Sequence, residues 1–137
     1  MLRKIGFIGL GQMGKWMACN LVKQQFDLTV FDIDKKAMAF LSDQGAQPAD
    51  SPAELAKSTD LIILSLPNDD VIEAVVLGEN GIVEGATSGR ILVDCGTSGY
   101  LWTREFAKKM QKMGIRFADA PVTGMEKRAK EATLTIM

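Results

Sequence analysis

The chain has 137 residues, 47% of them apolar, and this length and composition suit one globular domain with one hydrophobic core. Its 16 basic and 17 acidic residues give a net charge of −1. The basic residues are scattered along the sequence and form no cluster of the kind that binds nucleic acid or an anionic membrane. Two cysteines and no histidine exclude a disulfide framework and a metal site and favour a reducing cytoplasm, and no apolar run is long enough to span a membrane.

Short β-branched or aromatic runs alternate with amphipathic helical stretches along the chain. This pattern predicts crossover units and a mainly parallel sheet. We therefore expect an α/β fold of the doubly wound Rossmann type, with helices on both faces of the sheet. Strands are predicted near 4–8, 28–32, 61–66, 91–94, 116–120 and 133–137.

Capping residues and glycines mark the ends of the predicted helices. Ser51 and Glu54 form a capping box with Pro52 at the first helical position, and Gly45 and Gly114 are placed to end two other helices. Helices are predicted over 13–24, 35–44, 51–57, 69–77 and 101–113, with Met110 and Met113 in the core, and turns over 79–85.

The first predicted strand is followed at once by a glycine-rich loop and a helix start, in the sequence KIGFIGLGQMG over 4–14. Such a loop suits the pyrophosphate of a dinucleotide, because it brings the anion to the free N–H groups and the positive dipole at a helix N-terminus. Gly9 permits the tight turn, Gly11 leaves room for the phosphates, and Gly14 lets helix and strand pack closely. A βα turn without a ligand is the alternative.

Asp32 ends the second apolar run, about 20 residues beyond the glycine loop, where an acid accepts hydrogen bonds from the adenosine ribose. Its charge repels a 2′-phosphate, so the sequence predicts NAD rather than NADP; a solvated residue at a strand end is the alternative. Residues 66–68 and 94–98 follow later strands and should complete the pocket, since ligands of open α/β sheets lie outside the carboxyl ends of strands. Either segment could instead be a plain turn.

These motifs, in this order and spacing, resemble the β-hydroxyacid dehydrogenases, the family of 3-hydroxyisobutyrate dehydrogenase, tartronate semialdehyde reductase and the related 6-phosphogluconate dehydrogenases. The resemblance covers the whole chain, from the glycine loop and its helix through DAPVTG at 119–124 to LTIM at 134–137. It implies that Thr123 and Gly124 hold a substrate carboxylate. The cofactor contacts that it implies are Gly9, Leu10, Gly11, Gln12, Met13, Gly14, Asp32, Leu66, Pro67 and Thr97.

The resemblance also implies hydride exchange between NAD and a small β-hydroxyacid or semialdehyde that carries a carboxylate. The family's catalytic residue is a lysine of a C-terminal helical domain, so we assign none within the chain and expect residues 1–137 alone to be inactive. The last run, Thr133 to Met137, stops without the polar residues usual at a terminus. We therefore expect a dinucleotide-binding domain over 1–137 within a longer protein that forms a homo-oligomer.

Three positions depart from the family pattern. Met125 and Ala132 stand where glycine is usual, and Trp16 stands where proline is common. A bulky Met125 would reshape the anion pocket and so alter the substrate. Three basic residues follow the substrate segment and either pair with a second acidic group, such as a phosphate or sulfonate, or form a solvated face; they are Lys127, Arg128 and Lys130.

Two alternatives remain open from the sequence. A non-catalytic redox sensor or regulatory domain that binds NADH would use the same loop and acid, because a fold does not fix a function. The 6-phosphogluconate branch of the family gains support from DCGTSGY at 94–100, whereas Asp32 and the DAPV run at 119–122 count against it.

Overall fold

A six-stranded parallel sheet forms the centre of the computed structural model, which describes residues 4–137. Its strands are β1 (Lys4–Ile8), β2 (Asp27–Phe31), β3 (Gln47–Pro48), β4 (Leu61–Leu64), β5 (Ile91–Asp94) and β6 (Arg116–Asp119). The strand order is β3-β2-β1-β4-β5-β6, so the chain winds from the middle to one edge and then crosses to the other. The predicted doubly wound fold is therefore confirmed, with its switch point between β1 and β4.

The five predicted helices are all present, and their ends lie within one residue of the predicted ends. The Ser51 hydroxyl accepts the Glu54 N–H at 3.1 Å, as the capping box requires. The helices are α1 (Gly14–Lys23), α2 (Lys35–Asp43), α3 (Pro52–Ser58), α4 (Asp69–Leu77), α5 (Ile82–Gly85), α6 (Tyr100–Lys112) and α7 (Met125–Lys130).

Each face of the sheet carries its own apolar cluster, because successive side chains of a strand point to opposite faces. Ile5 and Phe7 of β1 pack in one cluster with residues of α1 and α2, while Ile8 packs in the other with residues of α3, α4 and α6. Cys19 and Cys95 are both buried free thiols.

The structure corrects the prediction in several places. The run 133–137 contains only the short strand β8 (Thr135–Ile136), which pairs antiparallel with β7 (Val122–Thr123) outside the main sheet. Part of the stretch predicted as turns forms α5, and α7 was not predicted at all. Met113 is 51% exposed, because it lies at the C-terminal cap of α6 and not on its buried face, where Met110 is fully buried.

The first residue of α7 and a residue just beyond its end have a left-handed backbone. Met125 has φ of 60° and Ala132 has φ of 57°. These are the two positions where the resembled family usually has glycine, the residue that adopts this conformation without steric cost. The departures from the family pattern therefore carry backbone strain.

Replacing Ala132 with glycine is expected to raise the free energy of unfolding by about 1 kcal/mol, because the left-handed conformation costs an L residue about 1–2 kcal/mol. Met125→Gly is expected to act in the same direction. Urea denaturation measures both changes. The matched control is Ala39→Gly on the exposed face of α2, which should lower stability by about 1 kcal/mol. Destabilisation by Ala132→Gly would contradict the left-handed assignment.

Candidate functional site

A cleft of about 690 Å³ opens at the carboxyl ends of the strands beside the switch point. The loops after β1, β2 and β4 build its walls, which is where a doubly wound sheet binds ligands. It is lined by Ile8, Gly9, Gly11, Gln12, Met13, Gly14, Phe31, Asp32, Ile33, Ser65, Leu66, Pro67, Val71 and Val75.

The three glycines of the loop meet three different surroundings. Gly9 has φ of 98°, and a Cβ there would run into the Ser65 carbonyl. A Cβ at Gly14 would run into the carbonyl of Gly9, so this glycine allows the close contact between α1 and the loop. At Gly11 a Cβ would meet no atom within 4 Å, so its face is open to the cleft. The open space over Gly11 suits the approach of a pyrophosphate to the backbone.

The N-terminus of α1 points its first turn at this open space. Met13 stands at the N-cap position and its side chain makes no capping hydrogen bond, in contrast to Ser51 and Asn68 at the starts of α3 and α4. The unpaired N–H groups and the helix dipole together favour an anion at this end.

Asp32 follows β2, lines the cleft and is hydrogen-bonded to the glycine loop. Its Oδ2 accepts the Leu10 N–H at 2.6 Å, and its Oδ1 accepts the Asp34 N–H at 2.8 Å. Each carboxylate oxygen retains a lone pair for a further donor, such as a ribose hydroxyl. The next residue, Ile33, is 90% exposed and lines the cleft, a contact that the sequence analysis missed.

The structure places Leu66 and Pro67 in the cleft wall but puts Thr97 in an adjoining shallow pocket of about 310 Å³. Pro67 lines both, so the two pockets are neighbours. Asp94, which is fully buried at the end of β5, holds the loop that carries Thr97: it accepts the Gly96 N–H at 2.9 Å and the Ser98 hydroxyl at 2.8 Å. Its role was not predicted, although a carboxylate at the end of an apolar strand was a signal for it.

Thr123 and Gly124 do not line the cleft; they belong to β7 and to the N-cap of α7. Helix α7 packs on α1, because the Trp16 indole donates to Glu126 at 3.0 Å and the Asn20 amide donates to the Ala129 carbonyl at 2.7 Å. Since Trp16 lies in the first turn of α1, this contact brings the predicted substrate segment to the helix start beside the cleft. It also gives Trp16 a structural role.

The Cys95 thiol is buried near the carboxylates of Asp94 and Asp119. Burial, with the negative charges of Asp94 and Asp119, raises its pKa to about 11. Burial also raises the pKa of Asp119, and the charge of Asp94 adds to this effect. A thiol with such a pKa stays protonated at neutral pH and is a poor nucleophile.

Among the residues that the structure describes, Asp32 is the one ionisable group that lines the cleft, and no lysine reaches it. No group of three His, Cys, Asp or Glu side chains within 4–137 could hold a metal ion. The helices of this part of the chain are also too short or too polar to cross a membrane. The cleft therefore offers anion-binding backbone, one acid and apolar walls, which together fit a dinucleotide.

Comparison with known proteins agrees with this geometry. A family model described as the NAD-binding domain of 6-phosphogluconate dehydrogenase matches residues 4–137. The chain belongs to the β-hydroxyacid dehydrogenase family. Among its relatives, 3-sulfolactaldehyde reductase of Escherichia coli is 41% identical over 133 residues, which are 97% of this chain and 45% of that enzyme. Human mitochondrial 3-hydroxyisobutyrate dehydrogenase is 41% identical over 134 residues, 97% of this chain and 40% of that protein.

The solved structure of 3-hydroxyisobutyrate dehydrogenase from Mycobacterium tuberculosis with L-serine superposes with a TM-score of 0.92 at 29% identity, covering all of this chain and 46% of that one. This β-hydroxyacid dehydrogenase chain thus spans less than half the length of these relatives. The relatives are oxidoreductases, so the comparisons support an enzyme and give no support to the alternative of a regulatory NADH sensor.

Proposed function

We propose that the protein is an oxidoreductase that holds NAD in the cleft and acts on a small β-hydroxyacid or semialdehyde carrying a carboxylate. The observation that carries the proposal is the Asp32 carboxylate, fixed to the glycine loop through the Leu10 N–H. An acid at this place presents its free lone pairs where the adenosine ribose hydroxyls would donate. Its charge disfavours a 2′-phosphate, which supports NAD over NADP.

Each part of the cofactor has proposed contacts in the chain. Asp32 would hold the adenosine ribose, and the glycine loop with the first turn of α1 would hold the pyrophosphate against the open face of Gly11. Leu66 and Pro67 would then wall the other half, with Thr97 beyond them. A bound nicotinamide supplies the two-electron chemistry of the reaction. The chain contributes the binding and orientation.

The substrate and its proton need further groups. Thr123 and Gly124, at the start of the segment that packs beside α1, are proposed to hold the substrate carboxylate. Oxidation of an alcohol also removes a proton from its oxygen, which requires a general base within hydrogen-bond reach. The family resemblance implies that this base is a lysine of a C-terminal domain, so we propose that it lies outside residues 1–137. In agreement, no lysine among the described residues lines the cleft.

The cellular location and the assembly of the protein are also proposed. Its free thiols, Cys19 and Cys95, suit a reducing compartment, which supports a cytoplasmic location. We further propose that a helical domain follows residue 137 and that the complete protein is a homo-oligomer.

The complete protein is expected to reduce NAD in the presence of a β-hydroxyacid, while residues 1–137 alone are expected to bind NADH without turnover. Turnover by the complete protein and by residues 1–137 is measured with a panel of hydroxyacids and semialdehydes, through the change in NADH absorbance. Binding of NADH to residues 1–137, monitored by fluorescence, is the control that the fragment is folded. Turnover by residues 1–137 would show that the general base lies inside the chain and would contradict its assignment elsewhere.

A further inference from the structure

Three basic side chains follow the predicted substrate segment, and the structure gives them different surroundings. Lys130 is engaged: its Nζ lies 3.1 Å from Glu126 Oε1 and 4.6 Å from the centre of the Trp16 ring. It therefore serves the contact between α7 and α1. Lys127 and Arg128 are exposed on the same short helix.

Arg128 is distinguished from Lys127 by what its stem covers. A Cβ added to Gly124 would lie 2.6 Å from Arg128 Cδ and 2.9 Å from its Cβ, so the aliphatic stem runs across the face of Gly124. The guanidinium at the end of this stem is thereby kept beside the residue proposed to hold the substrate carboxylate. The three atoms nearest to this added Cβ all belong to Arg128, and none belongs to Lys127.

The charge of Arg128 is also free. Five ion pairs join side chains of residues 4–137, and Arg128 takes part in none of them. Its helix, in contrast, is fixed, because Ala129 is fully buried and the Ala129 carbonyl accepts from Asn20. An unpaired guanidinium on a fixed element is suited to binding an anion, since its planar fork matches carboxylate, sulfonate and phosphate oxygens.

We propose that Arg128 binds a second anionic group of the substrate, so that the protein selects substrates carrying a sulfonate, phosphate or second carboxylate beside the first. This assignment rests on the proposed function, which places the first carboxylate at Thr123 and Gly124. It makes Arg128 a specificity-determining residue and leaves Lys127 as solvated charge.

The test compares a dianion with a monoanion on the NADH-saturated protein, using sulfoacetate and acetate as probes and chemical-shift changes as the readout. Sulfoacetate is expected to bind about tenfold more tightly than acetate, the value of one charge-assisted hydrogen bond at an exposed site. Arg128→Gln is expected to remove this preference, whereas Lys127→Gln, the matched control, should retain it. Thermal melting checks that both variants are folded.

Equal affinity for the two anions, no binding of either, or a preference that survives Arg128→Gln would overturn the assignment. So would a loss of NADH affinity in Arg128→Gln, since that would place the arginine on the cofactor. NADH is titrated first, without either anion. Failure at that step refutes the proposed cofactor function, whereas normal NADH binding followed by an absent preference refutes the role of Arg128 alone.

Discussion

Replacing Gly11 with valine is expected to weaken NADH binding by at least about 100-fold, or about 2.7 kcal/mol, and to leave the fold intact. A Cβ at Gly11 meets no protein atom within 4 Å, and the backbone there is outside the left-handed region, so the protein itself accommodates the side chain. The space that valine would fill is the open face where a pyrophosphate approaches the loop. The substitution should therefore reduce the affinity for NADH without reducing the stability of the fold.

Isothermal titration with NADH, together with urea denaturation, separates the two effects. The free energy of unfolding of Gly11→Val should stay within about 0.5 kcal/mol of the wild type, as for a surface substitution. Retained NADH affinity in a folded Gly11→Val protein would show that the cofactor does not lie over this loop.

Gly14→Ala is expected to have the opposite signature and to lower the free energy of unfolding by about 3–5 kcal/mol, a large part of the stability of a domain of this size. The new Cβ would run into the carbonyl of Gly9 and would lie 3.1 Å from Cε1 of the fully buried Phe7. Neither the Gly9 backbone nor the packed Phe7 ring can shift enough to accommodate the new methyl group. Helix α1 must therefore move away from β1.

The matched control for this second prediction is Gly11→Ala, the same change three residues earlier in the same loop. Because its Cβ enters open space, its unfolding midpoint in urea should stay close to that of the wild type. Equal destabilisation by the two alanine variants would contradict the close contact at Gly14.

The sequence was sufficient for the parts of the fold that depend on local pattern. Strand β1, its glycine turn, α1 and the acid at the end of β2 follow one another within a short stretch, and each carries its own signal. The capping box at Ser51 fixed the start of α3 for the same reason. Crossover connections then constrained the sheet to be parallel.

Other features depend on residues far apart in the chain and were not predictable from local pattern. Helix α7 has only six residues and no side-chain cap, and it is held by bonds from Trp16 and Asn20, more than 100 positions away. Strands β7 and β8 have two residues each, too few to show alternation. The displacement of Thr97 from the main cleft follows from the course of a loop bonded to Asp94, which motif spacing does not specify.

Separate titrations of NADH and NADPH test whether Asp32 and the glycine loop form an NAD site. The carboxylate accepts the ribose hydroxyls and its charge repels a 2′-phosphate, so NADH should bind at least about tenfold more tightly than NADPH. Asp32→Asn keeps an oxygen for the Leu10 N–H but removes the charge, so it should reduce the difference between the affinities for NADH and NADPH. Tighter binding of NADPH to the unmodified protein, or binding of neither cofactor, would contradict the account.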